Sequence, residues 1–261
     1  MWYNQATYRI MVLIVGGYMK ELSFTSQDLK EYIDEGTLIS DSGSFGSVFL
    51  HGKDLIKLKK NLYQLLKINR KEVASFVVED VYRWGKSSFV EKKQIEDLQE
   101  KQKNIKLTEF DKGIVLVNGI ICGTILANHI EYKDLTYYDD LDLITMLKIL
   151  ENILLALKEL DDNKVSHLDL CKGERFNPTL NILYKGTDIK LCDLSGEFIT
   201  YDNTFNPAEM YLEYAKTINF LVKKIIKKDK TMKSLFTNLS YDSTSYEESF
   251  MLLENIKKLI K

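Results

Sequence analysis

The chain of 261 residues has little proline, tryptophan or histidine, with two, two and three of them. Its three cysteines, Cys122, Cys171 and Cys192, are odd in number and lack the paired spacing of a disulfide framework. Zinc ligation is equally unsupported, because no two cysteine or histidine residues have ligand spacing. The cysteine usage therefore predicts a reducing compartment, and we expect a cytoplasmic protein.

A long hydrophobic run is also missing near the N-terminus. The longest one there, Ile10–Val15, is far shorter than the roughly 20 residues that a membrane helix needs. Charge of one sign is not in excess either, since 36 Lys and Arg residues stand against 38 Asp and Glu residues, for a formal net charge of −2. We therefore expect neither a membrane nor a nucleic acid as partner, and the oligomeric state is open.

Hydrophobic residues make up 45% of the chain, which is enough for a sizeable core. In the first half, alternating apolar residues around glycines predict strands within 37–50 and over 55–58. Asn118-Gly119 is a strong two-residue hairpin signal that separates two β-like runs, 105–117 and 120–126. The first half is therefore predicted to be rich in antiparallel strands.

Helical periodicity marks other parts of the chain. Val90, Ile95 and Leu98 would share one face of an amphipathic helix. The stretch 141–160 is apolar around most of its circumference, as a buried central helix is, and most of 207–260 is predicted to be helical. This order predicts an α+β protein whose smaller, β-rich first lobe has one main helix and whose second lobe is helical.

The same patterns divide the chain into segments. Residues 1–24 read as an N-terminal extension, in which Met19 is a possible true start. Residues 25–128 are predicted to form an N-lobe and residues 129–261 a C-lobe. The two lobes together would make one domain.

A glycine-rich turn lies between two β-like runs, where Gly43 and Gly46 are followed by Val48. Its glycines would let backbone N–H groups approach a polyphosphate closely, although a plain β-turn has the same composition. Lys57 lies in the next predicted strand, from which its ammonium could reach phosphate oxygens over that turn.

A carboxylate is predicted on the helix that follows. Glu91 lies on the same side as the apolar face of that helix, where it would be well placed to hold Lys57. Glu96 or Asp97 could fill this role instead, and most acidic residues on such a helix are merely solvated.

Further polar residues follow the central helix. His167 and Asp169 come directly after it, so the aspartate emerges into a loop, where a carboxylate can orient and deprotonate a hydroxyl nucleophile. Asn181 begins one predicted strand and Asp193 ends the next, and their oxygens could together coordinate Mg²⁺. Asn177 is a rival ligand. Each of these residues also has a structural explanation, as a core histidine, a turn residue or a cap.

Taken in order, these residues resemble the eukaryotic-type protein kinase family over about Ser40 to Ser195. The matches are to its glycine loop, phosphate-binding lysine, αC glutamate, HRD triplet, catalytic-loop asparagine and DFG aspartate: Gly43, Gly46, Val48, Lys57, Glu91, His167, Asp169, Asn181 and Asp193. The resemblance implies a compact two-lobed protein-kinase-like fold with a C-lobe of reduced size, and ATP and Mg²⁺ as cofactors.

The resemblance also implies a role for each matching residue. Gly43, Gly46 and Val48 would cover the nucleotide, and Lys57, held by Glu91, would grip its α and β phosphates. The catalytic residues would be Lys57 and Asp169, with Asn181 and Asp193 as the magnesium ligands: these are the positions that the kinase pattern assigns to those tasks.

The implied activity is transfer of the γ-phosphate of ATP to a hydroxyl acceptor, a protein Ser or Thr in the first instance. The alternatives are a nucleotide-binding pseudokinase that acts as a scaffold or regulator and a kinase of small hydroxylated molecules. Several departures motivate them: Asp41 replaces the first glycine of the loop, and Asn181 follows Asp169 by twelve residues. In the family pattern the asparagine follows by five.

Overall fold

The structure, a computed structural model, describes residues 11–15, 19–40, 46–59, 62, 92–135, 141–171, 181–196, 199–228, 236 and 239–260. Twelve strands and five α-helices occur in these ranges, so the predicted α+β class is confirmed. The helices are α1 (Ser26–Glu35), α2 (Lys92–Lys101), α3 (Leu143–Asp162), α4 (Pro207–Lys228) and α5 (Tyr246–Ile260).

The strands occupy both halves of the chain. Seven come from the first half: β1 (Met11–Val15), β2 (Met19–Phe24), β3 (Thr37–Ser40), β4 (Gly46–His51), β5 (Asp54–Lys59), β6 (Gly113–Val117) and β7 (Ile120–Leu126). Five short ones follow: β8 (Lys133–Asp134), β9 (Val165–His167), β10 (Ile182–Lys185), β11 (Asp188–Leu191) and β12 (Ile199–Tyr201). None of the helices in the described ranges is long and apolar enough to cross a membrane.

The described residues fall into two compact units. Unit 1 is drawn from residues 1–100, 110–128 and 195–197. Unit 2 is drawn from residues 101–109, 129–194 and 198–261. The chain therefore leaves unit 2 after Leu194 and joins unit 1 at Ser195.

Unit 1 contains a seven-stranded sheet in the order β1-β2-β6-β7-β5-β4-β3. The pairing of β2 with β6 is parallel, and the other pairs described in this sheet are antiparallel. The segment that the sequence sets apart as an extension, 1–24, thus contributes two strands to the sheet. Met19, Leu22 and Phe24 of β2 are buried there.

The two faces of this sheet carry different helices. On one face, α1 packs with Leu29 and Tyr32 against a core that includes Ile56 and Leu58 of β5. On the other face, α2 contributes Ile95 and Leu98, and Ile95 packs with Met19 and Ile114. Alternation along each strand therefore gives the sheet two separate apolar layers, as successive side chains point to opposite faces.

The sequence predicts the hairpins of this sheet well and one strand start poorly. Asn118 and Gly119 turn between β6 and β7 with φ of 50° and 82°, as a two-residue hairpin requires. The strand predicted from Ile105 is wrong in its first half, because β6 begins only at Gly113. Two side-chain amides take up carbonyls before it: Gln102 donates to Ile105 O, and Gln99 donates to Asp111 O.

Unit 2 is built around α3, which has the burial that its apolar sequence predicts. The carboxylate of Asp142 caps its N-terminus by accepting from the Thr145 N–H at 2.8 Å. Eight of its side chains are buried: Met146, Ile149, Leu150, Ile153, Leu154, Ala156, Leu157 and Leu160. Burying each of the larger ones stabilises the fold by about 1.5–3 kcal/mol.

Candidate functional site

His167, at the end of β9, is a fully buried histidine that joins two segments of unit 2. Its Nδ1 accepts a hydrogen bond from the Asp169 N–H at 3.3 Å, which leaves the ring proton on Nε2. Nε2 then donates to the Cys192 carbonyl at 3.0 Å. Burial lowers the pKa of His167, although the Cys192 bond and the charge of Asp193 oppose this. A neutral ring fits both bonds.

Asp169 and Asn181 lie together in spite of the twelve residues between them. The Asn181 side-chain amide donates to the Asp169 carboxylate Oδ2 at 3.0 Å and to its backbone carbonyl at 2.9 Å. The amide nitrogen is thereby turned toward Asp169. Asp169 is 7% exposed, so its carboxylate is almost inaccessible to solvent and its position is fixed by protein contacts.

Asp193 follows β11 and adopts a left-handed backbone with φ of 60°. Aspartate is, with asparagine, the residue other than glycine that adopts this conformation most readily. The residue before it, Cys192, is fixed twice, since its carbonyl accepts from His167 and its N–H donates to the Asn181 carbonyl at 3.0 Å. The structure thus brings His167, Asp169, Asn181 and the start of the Asp193 segment together in unit 2.

Helix α4 supports this loop from within unit 2, through residues that the sequence did not single out. Glu213 accepts from the Cys171 N–H at 2.8 Å, and Met210 Sδ accepts from the His167 N–H at 3.5 Å. Burial and the Glu213 charge raise the pKa of Cys171 to about 11, so it stays a thiol. A signal for Glu213 was present, because this acid falls on the same helical stripe as the buried Met210 and Thr217.

Gly46, Val48 and Lys57 lie together in unit 1, where strand register places them. A Cβ atom on Gly46 would lie 2.9 Å from the Lys57 Cγ and 2.9 Å from the Leu58 carbonyl, so the lysine stem covers the glycine. Val48 on β4 and Thr124 on β7 are directly opposite Lys57. Directly opposite residues share a face, and Thr124 is in turn opposite Ile114. Lys57 therefore lies on the face that carries α2.

Three predicted or rival residues, Gly43, Glu91 and Asn177, lie outside the described residues. Helix α2 begins at Lys92, directly after Glu91. Of the two alternatives for the acidic partner of Lys57, Glu96 is exposed and Asp97 is half-buried. The assignment of Glu91 to Lys57 therefore stays a prediction.

The segment after Asp193 is bound within unit 1 by two residues that sequence reasoning missed. Ser195 Oγ donates to the buried Asp111 carboxylate at 2.6 Å. The Gln94 side chain of α2 accepts from the Gly196 N–H at 2.8 Å and donates to its carbonyl at 2.9 Å. These partners are about a hundred residues apart along the chain, and no local pattern signals such a contact.

The oxygen atoms of Asn181 and Asp193 suit Mg²⁺ better than a transition metal. Within the described ranges, no group of three or more His, Cys, Asp or Glu side chains could hold a metal ion. Mg²⁺ needs no such group, since it usually keeps several waters and is bound by one or two protein oxygens plus substrate phosphates. The Asn181 amide oxygen and the Asp193 carboxylate are oxygens of this type, so the two residues fit Mg²⁺ in their chemistry.

Comparison with known proteins adds no family to this description. No protein-family model matches the chain, and none of the curated proteins matches it at a significant level.

Proposed function

We propose that the chain is an ATP- and Mg²⁺-dependent phosphotransferase of the protein-kinase-like type, which moves the γ-phosphate to a hydroxyl acceptor. The observation that carries the proposal is the pair of hydrogen bonds from Asn181 to Asp169. In the sequence the two residues are twelve apart, more than twice the five of the kinase pattern, and the fold nevertheless joins them. These bonds give the Asp169 carboxylate, which is 7% exposed, a defined orientation toward Asn181.

The strand arrangement supports a two-lobed kinase-like fold. Strands β3, β4, β5, β7 and β6 are neighbours in that order and pair antiparallel. Helix α2 lies between β5 and β6 in the chain and packs on the face that carries Lys57. These five strands and α2 would correspond to the small antiparallel lobe that the resemblance implies, to which α1 and the parallel pair of β2 and β6 are additions. Unit 2 with α3, α4 and α5 would be the reduced helical lobe.

In this proposal the two units contribute different tasks. Unit 1 would bind the nucleotide phosphates through Lys57 and the backbone near Gly46. In unit 2, the Asp169 carboxylate would accept or orient the proton of the acceptor hydroxyl, while Asn181 and Asp193 would hold Mg²⁺. The metal would neutralise the charge that develops on the transferring phosphoryl group. Positioning and charge are the main requirements of phosphoryl transfer, so these groups suffice.

The acceptor we propose is a Ser or Thr hydroxyl of a protein, with a small hydroxylated molecule as the alternative. A cytoplasmic location also belongs to the proposal. It is supported by the three cysteines, all of them free, of which Cys122 and Cys171 are buried. Burial raises the pKa of the Cys122 thiol, so it is unreactive.

The test is γ-phosphate transfer by wild type and Asp169→Asn, against the protein itself and a panel of hydroxyl acceptors. Asparagine keeps the shape of the side chain and can still accept from Asn181, but it cannot take up a proton. We expect a loss of about 10²–10⁴-fold in transfer. Stabilisation by ATP and Mg²⁺ should persist in the variant, because a ligand of the native state raises the melting temperature.

Asp188→Asn is the matched control, since Asp188 is an exposed aspartate of unit 2 that accepts from Tyr132. It should transfer phosphate at the wild-type rate. Wild-type protein that shows no thermal shift with ATP and Mg²⁺ would contradict nucleotide binding altogether. A thermal shift with equal, background transfer in wild type and Asp169→Asn would identify a nucleotide-binding regulator instead of an enzyme.

A further inference from the structure

Helix α3, with 20 residues, carries one outward-facing stripe along its length. We name this stripe the α3 seam. Its six residues succeed one another at alternating spacings of four and three, as positions that meet a neighbouring helix do in a coiled coil: Ile144, Lys148, Glu151, Leu155, Lys158 and Asp162. The eight buried side chains of α3 all lie outside the seam.

Helix α5 packs beside the seam and is tied to it at two points. Lys257 donates to the carboxylate of Glu151. The ammonium of Lys158 lies 5.5 Å from the centre of the Tyr246 ring. Since the start of α5 meets the later part of α3 and the end of α5 meets its middle, the two helices run in opposite directions. They therefore share one outer surface over the length between these contacts.

That shared surface is apolar at its centre. Leu155 lies between the two contacts on α3, and Phe250 lies between them on α5, where it stacks on Tyr246. Leu155 is 49% exposed, Phe250 46% and its neighbour Met251 63%. Single exposed apolar residues are normal on a protein surface. Three of them at one level of a helix pair form a patch, and apolar patches with a polar rim mark interaction sites.

The charges on the seam change sign when the seam is reversed about Leu155. Before Leu155, toward the start of α3, Glu151 is negative and Lys148 is positive. After it, Lys158 is positive and Asp162 is negative. The same charges also pair with one another within the helix. Exposed pairs of this kind are weak, so they leave the side chains available to a second partner.

This pattern identifies the partner that fits the patch, which is a second copy of the same seam. An antiparallel copy centred on Leu155 would bring Lys148, seven residues before the centre, against Asp162, seven residues after it. Glu151 would meet Lys158 in the same way. A parallel copy would instead set like charges against each other, which opposes association.

We propose that the α3 seam, with the adjoining Phe250 and Met251, is the interface of a homodimer in which two α3 helices pack antiparallel about a twofold axis at Leu155. Such an interface is isologous, so each favourable contact occurs twice. The two α3 and two α5 helices would then lie side by side. The dimer does not depend on the proposed function, because no residue of the phosphate or metal site takes part in it.

The first test measures the monomer–dimer equilibrium of the full chain by analytical ultracentrifugation over a range of protein concentrations. Wild type should shift from monomer to dimer as the concentration rises. Leu155→Gln should raise the dissociation constant by about tenfold or more, because both copies lose the central apolar residue. The matched control is Leu38→Gln, since Leu38 is a leucine of unit 1 that is 42% exposed. It should leave the dissociation constant unchanged.

Charge exchange tests the antiparallel arrangement. Lys148→Glu alone would set two negative charges against each other between the copies, and Asp162→Lys alone would do the same with two positive charges. Each should raise the dissociation constant by about 2–30-fold, because two contacts are affected. The double variant restores opposite charges between the copies and should recover most of the loss. Pairing within α3 cannot produce this rescue, since Lys148 pairs there with Glu151 and Asp162 with Lys158.

Three outcomes would overturn the dimer. Wild type that stays monomeric at every soluble concentration would exclude it, and the proposed phosphotransferase would be unaffected. Equal weakening by Leu155→Gln and Leu38→Gln would place the contact outside the seam. A double charge variant that associates more weakly than either single variant would contradict the antiparallel pairing. Because the substituted residues are exposed, all of these variants should fold like wild type.

Discussion

In unit 2 the candidate residues are held by hydrogen bonds to one another, whereas in unit 1 they are held by strand register. His167, Asp169 and Asn181 form a chain of hydrogen bonds in which His167 and Asp169 are buried and Asn181 is half-buried. Lys57 is placed instead by its position opposite Val48 and Thr124, and by the stem that covers Gly46. The arrangement in unit 2 depends on each polar partner. The arrangement in unit 1 depends on close packing and on the alternation of side chains along the strands.

This difference predicts how each unit responds to substitution. Removing one polar group in unit 2 leaves others buried without a partner, so single substitutions there should lower the free energy of unfolding strongly. In unit 1 the sheet tolerates many side chains, provided that the backbone can still approach closely at its glycines.

His167→Phe should cause the largest loss of stability. A phenyl ring roughly fills the space, but the Cys192 carbonyl and the Asp169 N–H both lose their partner. At about 1–3 kcal/mol for each of the two buried groups, the free energy of unfolding should fall by about 2–6 kcal/mol, as measured by urea denaturation.

The matched control is His51→Phe in unit 1, where the half-buried imidazole stacks on Tyr32 with ring centroids 3.9 Å apart. Phenylalanine keeps that stack, and the cost should stay below about 1 kcal/mol. Equal losses in the two histidine variants would contradict the contrast between the units.

Gly46→Ala should have the next largest effect. Its Cβ would lie 2.9 Å from the Leu58 carbonyl, closer than real Cβ contacts, so β4 and β5 must move apart. We expect a loss of about 1–3 kcal/mol in urea denaturation. The thermal shift with ATP and Mg²⁺ should shrink as well, because the lysine stem moves with the strand.

Gly52→Asn serves as the comparison for that change. Gly52 has φ of 57° and no atom within 4 Å of its would-be Cβ, and asparagine tolerates this conformation. Its cost should therefore be below about 1 kcal/mol, and the response to ATP should be unaltered. If Gly46→Ala were as stable as Gly52→Asn, the pairing of β4 with β5 would not depend on the close approach of Gly46 to Leu58.

The pH dependence of stability gives the smallest effect. Burial lowers the pKa of His167 from its ordinary value of 6.5, so below that pH the unfolded chain binds a proton that the folded chain does not. Stability therefore falls as the pH falls below about 6.5, by at most about 1.4 kcal/mol per pH unit from this group. Urea denaturation at several pH values should show this contribution in wild type and not in His167→Phe. If the free energy of unfolding changed with pH equally in the two proteins, His167 would not be the source of the pH dependence.

Local patterns predicted the local structure, including the Asn118-Gly119 hairpin and the buried helix α3. They also selected Asp169 and Asn181, which the fold joins. Turn chemistry and helical periodicity are properties of a few neighbouring residues, and a sequence displays them directly. The α+β class follows from the same signals.

Contacts between distant segments could not be predicted in this way. The bond from Gln94 to Gly196, the support from Glu213 and the parallel pairing of β2 all join residues far apart in the chain. The strand predicted from Ile105 failed for a related reason, since glutamine amides of the preceding helical segment take up its carbonyls. An apolar run forms a strand only where a neighbour is free to pair with it.

The parallel pair of β2 and β6 has a consequence for how the chain is made. Lys20 lies opposite Gly113, and a Cβ at Gly113 would overlap the Lys20 carbonyl. Any residue other than glycine at this position would therefore force the two strands apart. During translation, at about 5–20 residues per second, β2 leaves the ribosome several seconds before β6 exists. Strands β3, β4 and β5 can pair in the meantime, because short connections close first. We expect β2 to be the last of these strands to dock, and the segment that a nascent chain exposes longest to chaperones.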